Sequence, residues 1–465
     1  MTASGQYEEV DFDVEEALAL VKEGGAQVPD DSATTGAPRP APAPQDGSRK
    51  DKDTDQRRTA EQHTTEHHAA MPWQRARAIA GRAPRRPDTP VSVTLDAALG
   101  LVLAAPLTAL TDLPAFDTSA MDGWAVAGPG PWDVRAEGAL AGHDSPEPLI
   151  DGEAVPIATG ARIPQDASAV LRSEHGRSDE KGRLYATRDV SQGQDIRPRG
   201  QECRSGAPLL PFGTLVTPAV LGLAAAAGYD TVSALPRPRA EVLVLGDELL
   251  TGGLPHDGLI RDALGPMLPP WLRALGAEVI AVRRLGDDAE ALSEALKNSD
   301  ADLVVTTGGT AAGPVDHVHP VLRRIGAELL VDGVKVRPGH PMLLARLREN
   351  QHLVGLPGNP LAAVSGLLTL AEPLLRTLAG RTAPEPYTLP LKDTVHGHPH
   401  DTRLIPVVLR GDRAVPLHYN GPAMLRGIAV ADALAVVPPG GARPGQELEI
   451  FDLPWAMAGI EVCFT

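Results

Sequence analysis

Over residues 239–380, short apolar runs alternate with segments that have helical periodicity. Four apolar runs each end in polar, glycine or proline residues, as seen in AEVLVLGDE, AEVIAVRRL, ADLVVTTGG and HLVGLPGNP. Between them, AEALSEAL has helical periodicity, a helix is expected to open at Pro314, and LAAVSGLLTLAEPLLRTLAG predicts a long helix. Strands alternating with helices predict a parallel sheet that is covered on both faces. Such sheets bind ligands at the carboxyl ends of their strands.

The patterns before and after this region predict β-rich structure. Over residues 111–210, short apolar runs are broken by Gly, Pro and Asp, and the C-terminal part of the chain has similar punctuation. A short helix is predicted over 73–81. A second helix is predicted to open at Thr217-Pro218 and to end at Gly228, because Thr caps helices and Pro fits their first position.

Residues 1–71 form an acidic segment, of which residues 29–70 are rich in proline and charge and nearly free of large apolar side chains. We predict that this segment is disordered, because it cannot bury enough surface to offset the entropy of ordering. A short helix is possible over 13–23, either transient or docked on a partner protein. Three histidines in the segment are expected to be solvated rather than bound to metal: His63, His67 and His68.

Composition excludes several function classes. The 465 residues carry a formal net charge of -17 and only 3% aromatic residues, so no nucleic-acid partner is expected. The two cysteines, Cys203 and Cys463, have no metal-ligand spacing, which fits a reducing compartment. The acidic N-terminus lacks a signal sequence, and apolar stretches such as 216–227 are shorter than the ~20 residues that span a bilayer. We therefore expect a cytoplasmic protein without a membrane partner.

Glycines follow the third apolar run, in TTGGTAAG. At the passage from strand to helix, Gly308, Gly309 and Thr310 would let main-chain N–H groups approach an anion near a helix N-terminus. A tight turn between strand and helix explains the same residues equally well, so the spacing alone leaves both interpretations open.

Acidic residues follow the other runs. Glu248 lies in GDE after the first run, Asp287 and Asp288 follow the second, and Asp316 comes just after the glycine segment. Acids at the carboxyl edge of a sheet can bind Mg²⁺ or act as bases, but acids that begin helices also cap them or complement their dipole. Taken alone, Glu248 favours the interpretation as an acid at a helix start, and both interpretations stay open for Asp287, Asp288 and Asp316.

The remaining candidates lie in segments that are predicted to be irregular. They offer carboxylates, a hydroxyl, an amide or a rigid turn beside cations, and each is also compatible with an ordinary surface loop. These residues are Asp122, Thr159, Glu202, Arg337, Pro338, Pro341 and Asn359.

Six segments occur in a fixed order: PAFDTSAMDGWAV, GDEL, DLVVTTGG, GPVD, RPGHP and GLPGNP. Together they resemble the molybdopterin molybdenumtransferase family, also called the MoeA or gephyrin E-domain family, from Trp73 to the C-terminus. The resemblance implies an α/β and β multidomain fold, with a MogA-like α/β domain (parallel-rich sheet), an inserted β-rich domain, an extended β linker and a C-terminal β barrel. It also implies a homodimer whose active site lies between the α/β domain of one subunit and the inserted domain of the other.

The patterns and the resemblance together divide the chain into six parts. They are the N-terminal segment 1–71, the N-terminal helix with the first half of the linker 72–108, the inserted domain 109–206, the second half of the linker 207–236, the molybdopterin-binding α/β domain 237–383 and the C-terminal domain 384–465.

The family reaction implied by the resemblance inserts molybdate into adenylylated molybdopterin with the help of Mg²⁺ and releases AMP. Carboxylates would bind the metal, which neutralises the pyrophosphate. The implied catalytic residues are Asp122, Glu202, Glu248 and Asp316. The implied metal ligands are Asp287 or Asp288 together with Glu248 and Asp316. The implied substrate-binding residues are Thr159, Gly308, Gly309, Thr310, Arg337, Pro338, Pro341 and Asn359.

The chain departs from the family pattern at several oxyanion-binding positions. Leu245 replaces a threonine, Ala311 and Ala362 replace serines, and Gly333 stands where a lysine is expected. A hydroxyl that binds an oxyanion typically contributes about 1–3 kcal/mol. The leading hypothesis is therefore an active transferase, and the alternative is a non-catalytic molybdopterin-binding paralogue or scaffold with a weakened molybdate site. A different nucleotide-pyrophosphate hydrolase on the same fold is a third, less supported hypothesis.

Overall fold

The computed structural model of the protein describes residues 70–136, 138–139, 142, 147–310 and 317–454. The chain divides into two units, Met1–Glu66 and His67–Thr465, and all described residues belong to the second. Several predictions therefore lie outside the described residues: disorder up to residue 69, the helix over 13–23, the opening of a helix at Pro314, and everything concerning His63, His67, His68, Ala311, Asp316 and Cys463.

The helices are numbered in chain order. They are α1 Trp73–Arg82, α2 Leu95–Ala98, α3 Pro218–Ala226, α4 Leu264–Ala274, α5 Ala289–Lys297, α6 Val318–Arg324, α7 Pro360–Gly366, α8 Glu372–Leu378 and α9 Arg426–Ala429, with a 3₁₀ turn at Ser173–His175 and a π-helical turn at Leu367–Ala371 that joins α7 to α8.

The strands of the N-terminal half come first in the strand numbering. They are β1 Met71–Pro72, β2 Val91–Thr94, β3 Val102–Leu103, β4 Leu107–Thr108, β5 Thr118–Ser119, β6 Gly123–Val126, β7 Trp132–Val134, β8 Glu153–Ile157, β9 Ala169–Arg172, β10 Gly176–Ser178, β11 Arg183–Ala186, β12 Ile196–Arg197, β13 Pro208–Leu210 and β14 Thr231–Leu235.

The strands of the C-terminal half continue the numbering. They are β15 Arg239–Leu245, β16 Leu249–Leu250, β17 Ile260–Arg261, β18 Glu278–Leu285, β19 Leu303–Thr307, β20 Glu328–Asp332, β21 Val334–Arg337, β22 Leu343–Arg348, β23 Gln351–Leu356, β24 Thr388–Pro390, β25 Val395–His396, β26 Thr402–Arg410, β27 Arg413–Pro416, β28 Ala433–Val437, β29 Gly441–Ala442 and β30 Glu447–Asp452.

The α/β part contains a six-stranded sheet in the order β18-β15-β19-β23-β22-β20. The first four strands are parallel, as predicted, and β22 and β20 add an antiparallel edge. Successive side chains of a strand point to opposite faces. On β15, Val242 and Val244 accordingly pack in the core cluster that contains α4, α7 and α8, whereas Leu243 packs in the cluster that contains α5 and α6. The prediction that helices cover both faces is confirmed.

The helical stretch Pro360–Leu378 crosses the core beneath this sheet. It has 19 residues and is apolar enough to span a membrane by length and composition, but 89% of its most apolar window is buried inside the protein. The predicted long helix is therefore confirmed. Burial of this kind is the ordinary property of a core helix.

The first and second halves of the linker meet in a three-stranded sheet in the order β2-β14-β3. Helix α3 precedes β14 and begins as predicted: the Thr217 hydroxyl accepts the Val220 N–H, Pro218 takes the first position, and Gly228 follows the last turn. The chain between the two halves leaves along β4 and returns along β13, which pair with each other. The inserted chain contains a six-stranded sheet, in the order β10-β11-β7-β8-β6-β9.

The C-terminal residues form a β-rich domain whose main sheet has the order β1-β21-β26-β28-β30-β24 with β27 beside β26. Two strands of this sheet come from elsewhere in the chain. Strand β1 precedes the first helix, and β21 leaves the α/β part to pair in parallel with β26, with Arg337 opposite Arg403. The predicted α/β and β multidomain fold is thus confirmed, and the RPGHP segment begins where the α/β part and the C-terminal sheet meet.

Candidate active site

The carboxyl ends of the four parallel strands bring the predicted motifs side by side. In the order of the sheet, β18 leads to Asp287 and Asp288, β15 to Asp247 and Glu248, β19 to the glycine loop, and β23 to LPGNP. Parallel strands end at one edge, which is where α/β sheets bind ligands. These motifs therefore occupy neighbouring positions at one edge of the sheet.

The glycine loop turns sharply after β19. The φ angles of Gly308 and Gly309 are 77° and 64°, a left-handed conformation that only glycine adopts without strain. The Gly308 N–H donates to Leu356 O at 2.8 Å, and a β-carbon placed on Gly358 would lie 3.8 Å from the Gly308 Cα. The loop is thus held against the LPGNP turn of the next strand.

Thr310 is buried, with only 4% of its surface exposed, whereas Gly308 and Gly309 are half-buried. Its methyl group lies over Gly355, where an added β-carbon would come within 2.9 Å of it. A ligand at this loop would therefore meet main-chain groups more readily than the Thr310 hydroxyl.

The acids on the neighbouring strand ends have different surroundings. The Glu248 carboxylate lies over Gly246, the Asp247 carboxylate lies over Gly286, and all three acids Asp247, Glu248 and Asp287 are exposed. The Asp288 side chain instead caps α5, accepting the N–H groups of Glu290 at 2.8 Å and Ala291 at 3.3 Å. The capping interpretation therefore holds for Asp288, which leaves Asp287 as the carboxylate of this pair that is available to a ligand.

Carboxylate oxygens are the donors that Mg²⁺ prefers. Exposed carboxylates at the end of β15 and beyond β18 fit such an ion by donor type. Within the described ranges, no three His, Cys, Asp or Glu side chains are grouped closely enough to hold a metal, and Asp316 lies outside those ranges.

The RPGHP segment lies between the α/β core and the C-terminal sheet. The Arg337–Pro338 peptide bond is cis, and a β-carbon on Gly339 would lie 3.1 Å from both the Ala362 carbonyl and the Ser365 β-carbon. Pro338 is buried, while Pro341 is half-buried. The segment is thus packed against the first turn of α7, beside LPGNP.

Three hydrogen-bond donors beside this segment already have partners within the protein. The Arg337 guanidinium donates from Nε to Asp401 at 2.8 Å, although half of its side chain remains exposed. The N–H groups of Leu361 and Ala362, in the first turn of α7, both donate to the Pro422 carbonyl of the C-terminal domain. The exposed Asn359 side chain makes no capping hydrogen bond and remains available.

Gly333 explains one departure from the family pattern. It turns the chain between β20 and β21 with a φ of 73°, and an added β-carbon would lie 3.5 Å from Ala70 and 3.7 Å from the His340 carbonyl. A lysine at this position would be strained. The backbone of this turn, rather than the chemistry of the site, accounts for the glycine.

In the inserted domain, Asp122 and Thr159 are in direct contact. The Thr159 N–H donates to Asp122 Oδ1 at 2.7 Å, and both residues are exposed. Hydrogen bonds from the Thr159 main chain, and secondly from its side chain, hold the pKa of the Asp122 carboxyl below its usual range. Asp122 is therefore ionised at neutral pH and is fixed in place by the residue predicted to act beside it.

Glu202 lies in the same domain. It borders a shallow cavity of about 390 Å³, together with Thr118, Arg197 and Gln201. Strand β5 connects the two places, because Ser119 is hydrogen-bonded to Gly160 and Ala161 just after Thr159, while Thr118 borders the cavity.

The predicted residues therefore form two groups. Among the described residues, no hydrogen bond, ion pair or strand pairing joins the inserted domain to the carboxyl edge of the α/β sheet. Sequence reasoning missed Asp401 and Pro422, whose roles depend on contacts far along the chain. It named Asp247 only as a neighbour of Glu248, although the GDE pair was a usable signal.

Three ranges of the sequence match known families. Residues 68–228 match the MoeA N-terminal region (domains I and II), residues 241–377 match a family described as "Probable molybdopterin binding domain", and residues 388–453 match the MoeA C-terminal region (domain IV). The class that the fold and site define is thus that of molybdopterin-binding proteins.

Curated relatives narrow this class. A molybdopterin molybdenumtransferase 2 of Mycobacterium tuberculosis is 33% identical over 401 residues, covering 78% of this chain and 95% of the relative. A molybdopterin molybdenumtransferase of Staphylococcus aureus is 28% identical over 386 residues, covering 77% of this chain and 90% of the relative. The chain belongs to the molybdopterin molybdenumtransferase family, whose members are transferases of molybdenum cofactor biosynthesis.

Solved structures agree with this assignment. The molybdopterin biosynthesis MoeA protein of Pyrococcus horikoshii is 26% identical and has a TM-score of 0.66, covering 83% of this chain and 99% of that chain. A second structure of MoeA from that organism, 23% identical and with a TM-score of 0.65, shares the fold.

Proposed function

We propose that the protein inserts molybdate into adenylylated molybdopterin and releases AMP in a Mg²⁺-dependent reaction. The observation that carries this proposal is the row of motifs at one sheet edge, where Asp287, Glu248 and the glycine loop follow adjacent strands. Molybdopterin-binding relatives and the ionised Asp122 support it further.

Different groups of the protein would bind the phosphate, orient the substrate and act at the reacting phosphate group. The main-chain N–H of Gly309 would bind the pterin phosphate, since main-chain N–H groups at a glycine turn attract anions. Gly308, whose N–H donates to Leu356 O, would hold the loop in place. The exposed Asn359 amide and the Arg337 guanidinium lie at the neighbouring turn and would orient the substrate. Asp122, held ionised by Thr159, would act at the reacting phosphate group.

Glu248 and Asp287, together with Asp316, would hold the divalent cation. Their oxygens are the donor type that Mg²⁺ prefers. When bound, the cation would neutralise charge on the pyrophosphate and improve AMP as a leaving group.

The test is AMP release by the purified full-length protein from adenylylated molybdopterin, with molybdate and Mg²⁺ each present or omitted. We expect release that requires both, and a fall of at least 100-fold on Glu248→Gln or Asp122→Asn, as for loss of positioned acid or electrostatic groups. Asp412→Asn is the matched control, since Asp412 is an exposed acid far along the chain in the C-terminal domain. Absence of AMP release by the unmodified protein would contradict the proposal.

We further propose a homodimer in which each site uses two subunits. The support is the separation described above: Asp122 and Thr159 have their partners within the inserted domain, and the described contacts do not link them to the edge with Glu248. A second copy of the chain, related by the two-fold symmetry that is common among homo-oligomers, would supply the missing half.

Mixing two inactive variants tests this arrangement. Asp122→Asn and Glu248→Gln damage different halves, so a mixed dimer would contain one intact composite site out of two. After subunit exchange, random pairing should restore about a quarter of the wild-type rate of AMP release. If both halves of a site came from one subunit, each mixed dimer would remain inactive. Sedimentation measurements establish whether the dimer exists in the first place.

A second candidate function is binding of molybdopterin without turnover. It is favoured by one observation, because the Pro422 carbonyl occupies the Leu361 and Ala362 N–H groups beside the LPGNP turn, where Ala362 also lacks a hydroxyl. Pterin binding that is measurable by calorimetry, together with no AMP release, would support this candidate over the transferase.

A further inference from the structure

Three arginines meet at the opposite end of the α/β domain, where it joins the linker. The Arg237 guanidinium donates to Leu99 O at 2.6 Å, that of Arg381 to Gly100 O at 2.8 Å, and that of Arg86 to Gly380 O at 2.6 Å. Since Leu99 and Gly100 are consecutive, and Gly380 and Arg381 are too, the three cations converge on two short turns.

These guanidinium groups are not neutralised by carboxylates. Among the described residues, no ion pair within 4.0 Å includes Arg86, Arg237 or Arg381, in contrast to many other arginines of the chain. A guanidinium has several N–H donors, and each of the three makes one described hydrogen bond to the protein. The Nε of Arg381 is buried without a partner.

The cations also repel one another. The guanidinium nitrogens of Arg237 and Arg381 lie within 3.9 Å of one point, the place where a β-carbon on Gly100 would be. Burial, and next the charge of Arg237, lower the pKa of Arg381. An anion at this place would relieve the repulsion and satisfy donors that the protein leaves open.

Arg86 and Arg237 border a cavity of about 290 Å³ whose walls include four prolines, Pro84, Pro87, Pro236 and Pro238. Two acids, Asp88 and Asp302, also border it, but each has another partner: the Thr89 hydroxyl donates to Asp88, and the Arg239 N–H donates to Asp302 at 2.7 Å. Burial raises the pKa of the Asp302 carboxyl by more than the Arg239 N–H and the Arg239 charge lower it.

We propose that this cavity binds a phosphate group through Arg86 and Arg237. Arg381 lies beside Arg237, outside the cavity lining, and adds positive charge. Arginine forks suit phosphate oxygens, and proline walls fix the spacing of the turns that carry them. The site lies at the amino end of the parallel strands, away from the edge assigned to catalysis. Its ligand is either free phosphate or the phosphate of a nucleotide, for which the exposed Phe212 ring, 5.6 Å below the Arg86 guanidinium, offers a stacking surface.

Calorimetric titration of the full-length protein with inorganic phosphate, and separately with AMP, tests the proposal. We expect Arg86→Gln/Arg237→Gln to weaken binding at least tenfold or to remove one class of site. Arg239→Gln is the matched control, because Arg239 also donates to a carbonyl, Asp300 O, at the same end of the sheet but does not border the cavity. Binding at the glycine loop would be common to all these variants and cancels in the comparison.

Tighter binding of AMP than of phosphate would identify a nucleotide as the ligand, and equal binding would identify the phosphate group alone. Arg86→Gln by itself removes only an exposed side chain, and this variant keeps the test available if the double variant does not fold. Identical titration curves for the unmodified protein and the arginine variants would overturn the proposal, whatever the result for AMP release.

Discussion

His352 is a titratable side chain that the fold buries completely. It lies on β23 in the middle of the sheet with 0% exposure, opposite Arg346 on β22. Burial, and next the charge of Arg346, lower the pKa of His352 from 6.5 to about 4. The unfolded chain therefore takes up a proton at this residue at a pH where the folded protein does not.

The free energy of unfolding should consequently fall as the pH decreases from 6.5 towards 4, since the unfolded state binds more protons in this window. Between pH 7.5 and pH 5 the contribution of His352 is on the order of 2 kcal/mol. His352→Leu should flatten this part of the profile in urea unfolding measurements. His396→Gln, a substitution of an exposed histidine, serves as the control. Equal pH dependence in the unmodified protein and His352→Leu would refute the assignment.

At this scale the sequence predicted residue types better than residue partners. It placed Gly308 and Gly309 in a turn and raised capping as a role for Asp288, because both inferences depend on neighbours within a few positions. It could not predict that Arg337 pairs with Asp401, because that contact is 64 positions distant and is created by the pairing of β21 with β26.

Among the elements, helix α3 can be predicted from local sequence signals, whereas helix α4 cannot. Helix α3 has a threonine cap and a proline at its start, and its bounds follow from those residues. Helix α4 contains Pro269 and Pro270, which a local reading takes as helix breakers. It forms because Leu268, Trp271 and Leu272 are buried in the core, and because Asp262 accepts the Gly265 N–H before its first turn. Tertiary burial here outweighs local propensity.

The cap of α3 can be tested directly. Thr217→Ala removes the oxygen that accepts the Val220 N–H and should lower the free energy of unfolding by about 1 kcal/mol. Thr217→Ser retains the hydroxyl and should remain within a few tenths of a kcal/mol of the unmodified protein. Chemical denaturation of the three proteins measures the difference, and an equal loss in both variants would show that the methyl group matters rather than the cap.

At the scale of the whole molecule, helix α1 contacts both the α/β core and the C-terminal domain. Trp73 donates to Thr369 at 3.0 Å and packs edge-on against Phe451, with ring centroids 5.5 Å apart. Arg77 lies 4.4 Å from the Phe451 ring and binds Glu372 at 3.0 Å, and Glu372 also pairs with Arg376. The sequence predicted α1 as a helix but gave no sign that it would join two domains.

Glu372 pairs with two largely buried arginines, and the side-chain exposures are 9% for Glu372, 15% for Arg77 and 19% for Arg376. Glu372→Gln removes the carboxylate that pairs with both cations and should lower the free energy of unfolding by about 3 kcal/mol. Glu328→Gln breaks an ion pair with Arg346 whose carboxylate is 61% exposed, and it should cost less than about 1 kcal/mol. Losses of similar size in the two variants, measured by thermal and urea unfolding, would contradict this account.

The inserted domain is attached to the linker through two adjacent strands, β4 and β13, and the Ala109 N–H donates to the Ala207 carbonyl at 2.9 Å. Bringing the ends of a random chain of about 100 residues together costs about 4 kcal/mol of entropy. If the insertion folds first, its own structure holds these ends side by side, and the linker halves then meet as though joined by a short turn. The topology therefore favours an order of assembly in which a chain segment from the middle of the sequence is completed before the flanking segments that surround it.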